Sequence, residues 1–576
     1  MDRNRLLIFF VLSAAILAVS QLVLPRQPAH APVHQVATVD QSAHPASPGR
    51  AAAPVLPSAP SAPDTSAAPR AKIDGARLAG SISLIGARVD EMALKDYHVT
   101  IQKSSPLVQL LAPSDAAQPS SIQLGWSAGA GVKVPDDKTL WTSSGGDLTD
   151  THPLTLSWDS GQGLTYTIEF SIDKNYMFTA RQSVRNGTDK PLDVWPWERI
   201  RRDYTPPPAA SYAAFEGMLG AADGRTHQLG YPKIRSEAAK NDSTVYTHEG
   251  AGGWTSICDK YWLTAIIPDQ MVPIKTVWYY NNDNGSDHFQ VSDQAIAPLH
   301  LSAGANASFD SHLFVGAKEV NLLDRYESNL RIPLLSYCVD WGWFFFLSKP
   351  FFYAIDWINS VTHNFGVAIL IFTVLVKIIF YPLARKSFES MGKMRLLAPK
   401  IQAARERHKD DPAKQQAAMM EVYKQEGISP AAQAGGCLPM VIQIPVFISL
   451  YNVILITIEM RQAPFFGWIH DLSVIDPTNI FTLFGLLPFS PELISPYLHL
   501  GIWPVLMGCT MFFQQKLNPP PPDPVQARMF QYMPIFFTFL MGRAPAGLVI
   551  YWTWNNLLTM AQQWHIQRHV KLDKKG

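Results

Sequence analysis

A chain of 576 residues is too long for one hydrophobic core. Charged residues make up 16% of it, against roughly 25% in ordinary soluble proteins, so a wholly soluble protein is excluded as the simple reading. Lys plus Arg (48) nearly cancel Asp plus Glu (47), which argues against nucleic-acid specificity built on bulk charge. Forty-five Pro and 16 Trp predict a Pro-rich linker and membrane-interface aromatics. Cys258, Cys338, Cys437 and Cys509 form no CxxC, which excludes a disulfide scaffold and a Cys-based zinc site.

In chain order, residues 1–5 carry Arg3 and Arg5, and 6–24 follow as 19 residues without a charge. Ala18-Val19-Ser20 is a passable cleavage site, so a signal peptide competes. The run exceeds the roughly 7–15 residues of a signal core and reads as an uncleaved first anchor. Residues 25–72 are Ala, Pro, Ser and His, a semi-extended tether that cannot bury enough surface to fold.

From 73 to 335 the pattern changes to period two. Leu164, Tyr166, Ile168, Phe170 and Ile172 alternate with Thr165, Thr167, Glu169, Ser171 and Asp173, a strand with one buried and one wet face. Asn186-Gly187 and Asn284-Gly285 read as hairpin turns. The expectation is a large β-sandwich-like domain without an internal disulfide, since Cys258 is its only cysteine. Trp254, Trp262 and Trp278 read as core, with a sugar-binding face as the sharper alternative. His248-Glu249 falls in a loop-like segment without a second ligand at helical spacing. No HExxH, GxSxG, Walker A or GxGxxG stands in a usable context, so neither an enzyme nor a cofactor or metal is expected.

Residues 336–357 read as an interfacial segment and 358–383 as the second span, whose apolar run 365–383 only Lys377 interrupts. A helical hairpin is expected over 384–436, with arms at about 385–409 and 412–426. Asp411-Pro412 supplies the cap and first turn of its second arm, Gly427 the stop, and Pro399 a kink in the first. Met391, Met394, Met419 and Met420 lie along it, either packing the arms together or forming an adaptable surface. Then come a third span at 437–458, a loop at 459–497 and a fourth span at 498–513. Within that loop 480–489 is too short to cross and reads as interfacial or re-entrant. A loop at 514–528 precedes a fifth span at 529–541 and a sixth at 548–564, and 565–576 form a basic tail. Gly542, Pro545 and Gly547 predict a tight turn that keeps Arg543 out of the bilayer. Six spans result.

Ten basic and six acidic residues lie between 384 and 436, whereas 459–497 holds only Arg461 as a basic residue. The positive-inside rule then puts both termini and the hairpin in the cytosol and 25–357 outside.

Lys377 asks for an explanation, because a charge at a span's centre costs roughly 2.5–3.5 kcal/mol on insertion scales. Either it snorkels to the cytosolic headgroups or it faces a hydrated cavity. Thr373 is one turn away on the same face. Gln443 and Asn452, nine apart, point to opposite sides of one helix, and Gln443 is assigned to the cavity. Trp552, Asn555, Asn556 and Thr559 share a face. The candidate groove set is Lys377, Thr373, Gln443, Tyr551, Trp552 and Asn556.

The segments MGKMRLLAPKIQAARERHKDDPAKQQAAMMEVYKQEG (391–427), GGCLPMVIQIPVF (435–447) and RQAPFFGWIHDLSVIDP (461–477) closely resemble the YidC/Oxa family of membrane-protein insertases. The resemblance covers about 341–570, and the first third has the layout of the Gram-negative form. It implies a polytopic α-helical membrane protein of the inner membrane, with a large periplasmic β-supersandwich domain and a cytosolic αα-hairpin. It implies insertion and chaperoning of nascent membrane proteins, alone or beside the Sec translocon, with the ribosome and targeting factors as further partners at the hairpin.

The family's groove is open to cytosol and lipid bilayer, closed outside, and carries one basic residue. Lys377 in TVLVKIIFYPL stands there, where many members have Arg. Lys can lose its proton in a dry site and Arg cannot, so the departure requires a wet groove. The short fifth run would thin the bilayer locally. SPAAQAGGC before the third span and the segment 480–497 are longer than the family's pattern, and the short tail lacks a long basic extension. The competing functions are a small-solute or ion transporter using the same cavity and a membrane-anchored sugar-binding domain. The first lacks internal repeats, and the second leaves the hairpin and five downstream spans without a purpose.

Overall fold

The computed structural model describes residues 68–207, 214–283, 285–408, 411–425, 438–483, 499–518 and 524–568. The first anchor at 6–24, most of the tether, the SPAAQAGGC approach, most of 480–497 and the end of the tail lie outside the described residues. Two compact units divide the chain, one of residues 47–340 with 456–459 and one built chiefly of 341–455 and 460–576.

The first unit is a sandwich of two antiparallel sheets. One sheet runs, edge to edge, through Arg70–Asp74 (β1), Leu78–Ser83 (β2), Arg88–His98 (β3), Ser120–Ala128 (β5), Leu192–Arg202 (β10), Ser286–Ala295 (β17), Pro273–Asp283 (β16) and Thr244–Ala251 (β13). Leu107–Leu111 (β4) joins it at β3 and Leu299–Leu301 (β18) at β10. The other runs through Arg225–Gly230 (β12), Gly217–Ala222 (β11), Trp254–Cys258 (β14), Trp262–Pro268 (β15), Asn306–Ala317 (β19), Met177–Asn186 (β9), Leu164–Ile172 (β8), Leu154–Asp159 (β7) and Thr142–Ser144 (β6). In β8 the alternate residues Leu164, Tyr166, Ile168, Phe170 and Ile172 are all buried, as the period-two pattern predicts. Their face meets the other sheet, where the ring of Trp126 lies 5.1 Å from that of Tyr166. Short helices at Tyr231–Ala238 (α1) and Val320–Asn329 (α2) complete the unit.

Several local expectations need correcting. Asn186-Gly187 is no hairpin turn: β9 and β10 belong to different sheets, and the chain crosses between them here. Asn186 is buried and its Nδ2 donates to the carbonyls of Lys190, Leu301 and Ser302, so it holds a crossover together. The link at 284–285 does join the antiparallel neighbours β16 and β17, with Gly285 at φ +86°, a left-handed conformation that favours glycine; Asn284 itself lies outside the described residues. His248-Glu249 lies on the edge strand β13, not in a loop. Trp254 and Trp278 are core residues, and Trp278 Nε1 donates to Thr255 Oγ1 at 2.5 Å. Trp262 packs apart from them, edge-on to Tyr97. Cys258 is free and buried.

The second unit is helical. Phe345–Thr362 (α3) ends where His363 turns left-handed at φ +54°. Asn364 then caps Phe365–Ile379 (α4), its Oδ1 accepting from Val367 N at 3.0 Å. Tyr381–Arg407 (α5) follows at an angle of 69°, with Pro382 in its first turn. The expected second span 358–383 is therefore interrupted twice, once by a cap and once by a proline.

Pro412–Gln425 (α6) returns beside α5. Asp411 Oδ1 accepts from Ala413 N and Lys414 N, the cap expected of it. Met394 and Met419 pack with Leu397, Ile401 and Tyr423 between the arms. Met391 packs instead with Phe388 and Ile566, and Met420 is exposed. Met394 and Met419 thus follow the packing reading.

Leu438–Ile456 (α7), Ile502–Leu517 (α8), Pro524–Met541 (α9) and Ala546–Gln567 (α10) complete the unit. Helix α9 starts five residues before the apolar run at 529, so the short element is the apolar stretch and not the helix. The turn between α9 and α10 falls at 542–545, as the breakers predict. Among the described residues no single helix is long and apolar enough to cross a membrane by itself, while the bent pair α4–α5 meets that test together.

The sandwich carries a pH-sensitive pair. Glu198 on β10 and Asp293 on β17 stand directly opposite each other, both buried. Burial pushes Glu198 up to about 8, with Asp293 adding to the rise and the Ser311 hydroxyl opposing it. Burial likewise pushes Asp293 up to about 7, opposed by its bond from Thr276. Unfolded, both titrate near pH 4, so from about pH 4 to 8 the folded state holds more protons and loses stability as pH rises. The unfolding temperature of the sandwich, followed in the full chain in detergent, should fall across that window and level off above it. Glu198→Gln should flatten the slope and raise stability at pH 8 by on the order of 2 kcal/mol. A wild-type profile that is flat from pH 5 to 8 would contradict the assignment.

Candidate functional site

Helix α10 collects the polar contacts of the helical unit. Near its start, Tyr551 is buried and its hydroxyl accepts from Gln443 Nε2 of α7 at 2.6 Å. Trp552 beside it lies between Phe447 of α7, at 4.7 Å between ring centroids, and Phe537 of α9, at 5.6 Å. One turn on, Trp554 Nε1 donates to Leu370 O of α4 at 3.2 Å, and Asn556 Nδ2 donates to Thr510 Oγ1 of α8 at 3.2 Å. Further on, Gln563 Nε2 reaches Leu517 O and Asn518 Oδ1.

Lys377 joins this series from α4. Its Nζ donates to Thr559 Oγ1 at 2.8 Å, and that hydroxyl donates to Asn555 O at 2.6 Å. No carboxylate among the described residues lies within ion-pair distance of the ammonium. The residue stands in the last turn of α4, where the helix's carbonyl end favours a cation. Its side chain turns sideways onto α10.

The candidate residues therefore separate. Gln443, Tyr551 and Trp552 meet at one level of α10, Asn556 faces α8 and Lys377 meets Thr559. Thr373 joins none of them: it is buried and its hydroxyl is spent on Ile369 O of its own helix at 2.7 Å. Asn452 points away from Gln443, donating to Trp341 O at 3.1 Å. Thr559, the residue that receives the ammonium, shares the polar face read from the sequence but lies outside the candidate set. Thr510 carries no sequence signal, since its partner is 46 residues away.

One loop holds the starts of two of these helices. The buried Asp476 carboxylate accepts from Trp503 N in the first turn of α8 at 3.0 Å, from Thr478 N at 3.0 Å and from Trp468 Nε1 at 3.1 Å. Thr478 Oγ1 accepts from Ile502 N. Gly501 provides no cap of its own, and a Cβ there would fall 2.5 Å from the Asp476 carboxyl carbon. The same loop offers Val474 O and Leu472 O to Ala546 N and Gly547 N at the start of α10. Orphan amides at both helix starts are thus satisfied from outside the helices.

Residues 357–575 match the family described as 60Kd inner membrane protein, and residues 70–354 match the YidC periplasmic domain. The membrane protein insertase YidC of Granulibacter bethesdensis is 54% identical over 88% of this chain and 87% of its own length. The proteins of that name from Acidiphilium cryptum and Bradyrhizobium diazoefficiens are 49% and 44% identical, each over 87% of this chain, and over 85% and 82% of their own lengths. A crystal structure of an active YidC insertase with its first transmembrane domain resolved aligns over 85% of this chain and 91% of its own, at 16% identity and a TM-score of 0.35.

Asp476→Ala should remove a buried acceptor from four donors, Trp468 Nε1, Thr478 N, Thr478 Oγ1 and Trp503 N, and destabilise the helical unit by about 2 kcal/mol, toward the upper end for a lost helix cap. Asp476→Asn keeps one acceptor oxygen and should cost about half as much. Unfolding of the full chain in mixed micelles measures both, and equal stabilities for Ala and wild type would refute the capping role.

Proposed function

The chain belongs to the YidC family of membrane protein insertases, and from that premise we propose that Lys377 is the fixed positive charge of a hydrated groove through which client tails pass. The chain is an insertase and not an enzyme, and its clients are membrane proteins of the lipid bilayer. In this reading it spans the inner membrane six times, with both termini and the α5–α6 hairpin in the cytosol and the β-sandwich in the periplasm. Exposed Leu396 and Met420 on the hairpin offer apolar contacts to nascent segments, the ribosome or targeting factors, and the Sec translocon is a further partner.

The observation that carries the proposal is the Lys377–Thr559 contact: a cation inside a helix bundle, bonded to a neutral hydroxyl and to no acid. Lys377 lies 12 residues into α4 and Thr559 13 residues into α10, about 18 and 20 Å along their helices at 1.5 Å per residue. That depth is past the midplane of a core about 30 Å thick. A neutral acceptor leaves the charge uncompensated. A client carboxylate brought to about 8 Å would gain about 2 kcal/mol at an effective dielectric of 20. This offsets much of the roughly 2.5–3.5 kcal/mol that a charged residue costs at a span's centre. A snorkelling lysine would extend toward the end of α4 instead of bonding sideways. A transporter would pair its intramembrane charges, and Lys377 has no such partner among the described residues.

Insertion of one client carrying Asp, Asn or Lys in its translocated tail tests the reading. Lys377→Arg should keep activity, Lys377→Ala should slow the Asp client on the order of tenfold, and Lys377→Glu should be worst. The Asn client should be nearly indifferent. A ranking that ignores the client's charge, at matched expression, would sink the groove-charge mechanism.

A further inference from the structure

Cys258 ends β14, and the sequence boundary at 335 leaves it as the only cysteine of the sandwich. The structure adds a second, because the compact unit runs on to residue 340 and includes Cys338 in the turn Leu335–Cys338. The segment 332–340 lies along β14: Trp254 Nε1 donates to Pro333 O at 3.0 Å, and Cys258 Sγ lies 3.9 Å from Cys338 O. Ile332, Leu335 and both cysteines are buried in this contact. A carbonyl oxygen stands about 2.4 Å from its own Cα, which puts the Cys258 sulfur within about 6 Å of the Cys338 Cα. A disulfide, with Cα atoms roughly 4.4–6.8 Å apart, then needs rotation of the two side chains and a small settling of the segment.

Lys318, the residue after β19, is buried and points into the same contact. Its Nζ donates to Cys258 Sγ at 3.4 Å and to Cys338 O at 3.3 Å. Burial pushes both thiols up and the ammonium opposes that rise at each, while Asp259 and Asp340 add to it at Cys258. A cation beside a sulfur favours the thiolate, which is the form that attacks a disulfide. Both cysteines lie within residues 70–354, which match the YidC periplasmic domain, and the periplasm is a compartment where disulfides form and persist.

We propose that Cys258 and Cys338 are a disulfide-forming pair, with Lys318 as the positioning cation beside them. This rests on the orientation that puts the sandwich in the periplasm. In the first step the Cys258 thiolate attacks the disulfide of an oxidant, a disulfide-bonded protein or small molecule, and one of its thiolates leaves. In the second the Cys338 thiolate attacks the Cys258 sulfur, forms the Cys258–Cys338 bond and releases the oxidant's other thiolate. Two electrons pass from the pair to the oxidant, and the two thiol protons end on its two sulfurs. Both sulfurs are shut from solvent once segment 332–340 is seated. The exchange therefore belongs to folding, after β14 and β19 have formed and before the segment closes. The bond ties residues 80 apart in sequence and fixes the end of this unit's chain to its sheet.

The test uses the full chain extracted from membranes under acid, which stops thiol exchange, then unfolded and alkylated. Of its four cysteines only Cys437 and Cys509 should take the label without reductant, and all four after it. Peptide mapping should show the segments that hold Cys258 and Cys338 joined, and Cys258→Ser should free Cys338 to label. In detergent, reduction should lower the unfolding temperature of the sandwich by about 5–10 °C. Lys318→Met should slow reoxidation of the reduced chain by glutathione disulfide several-fold, and Lys318→Arg should keep it; equal rates for Met and wild type overturn the role of the cation. Orientation is read separately: Met271→Cys, at an exposed position, should react with a membrane-impermeant thiol reagent on spheroplasts. Four labelled cysteines without reductant, or a link from Cys258 to any residue other than Cys338, overturn the pairing when Met271→Cys reacts from outside. When it does not react, the orientation has failed and the pairing falls with it.

Discussion

Read as a membrane span, helix α10 needs protein partners for the polar groups that face its neighbours, because hydrocarbon offers none. Tyr551 finds α7, Asn556 and Gln563 find α8 and its end, and Trp554 and Thr559 find α4. Such bonds average well under 2 kcal/mol each in membranes, so they contribute little net stability. Leaving them unmade costs more, and that asymmetry fixes which face of α10 each neighbour touches. Lys377 follows the same rule with one difference. Its bond is satisfied, yet its charge is not, since a hydroxyl accepts a proton without neutralising the donor.

The same accounting governs the helix ends. Neither α8 nor α10 begins with a side-chain cap of its own: Gly501 and Pro545 stand at those positions. Both are held by the loop around 472–478, through a carboxylate and a hydroxyl for α8 and two carbonyls for α10. That loop therefore ties two helix starts to one short stretch of chain. In the proposed orientation this is the periplasmic end, and a groove closed there and open beyond Lys377 needs a rigid stop of this kind.

Much of this was legible in the sequence, for physical reasons that also explain the failures. The alternation along β8 reports one buried and one wet face, and the structure follows it residue by residue. Gln443 and Asn452 diverge because nine residues make a half-turn beyond two full turns, which no packing detail alters. Asn186-Gly187 misled because a turn dipeptide marks a reversal without saying which sheet receives the chain; that depends on Leu301 and Ser302, more than 100 residues on. His248-Glu249 looked like a loop because an edge strand such as β13 carries polar residues on both faces. Thr373 looked like a groove residue because a helical hydroxyl's bond to its own backbone is invisible to spacing. Thr510 and Thr559 become partners only once α8, α4 and α10 are packed, and no local pattern carries that information.

The sandwich handles its buried charges in two ways that chemistry keeps distinct. Glu198 and Arg199 are consecutive on β10 and point to opposite faces, Glu198 inward and Arg199 outward in the row that Arg88 shares. A carboxylate left without a counter-charge has an exit: it takes up a proton, and burial raises its affinity for one. The inward pair Glu198 and Asp293 uses that exit at the expense of a pH-dependent fold. A guanidinium has no such exit, because it stays protonated in any protein environment. The charge of Arg88 is offset by the nearby carboxylates of Asp137, Asp90 and Asp203, which it shares with Arg199, Arg70 and Arg201. A sheet that needed only to fold could place an apolar side chain at residue 88 and avoid the desolvation altogether. The same reasoning separates Arg88 from Lys377. The lysine has a hydroxyl to bond, and the proposed groove would bring it acidic tails in passing, whereas Arg88 depends on the carboxylates fixed around it.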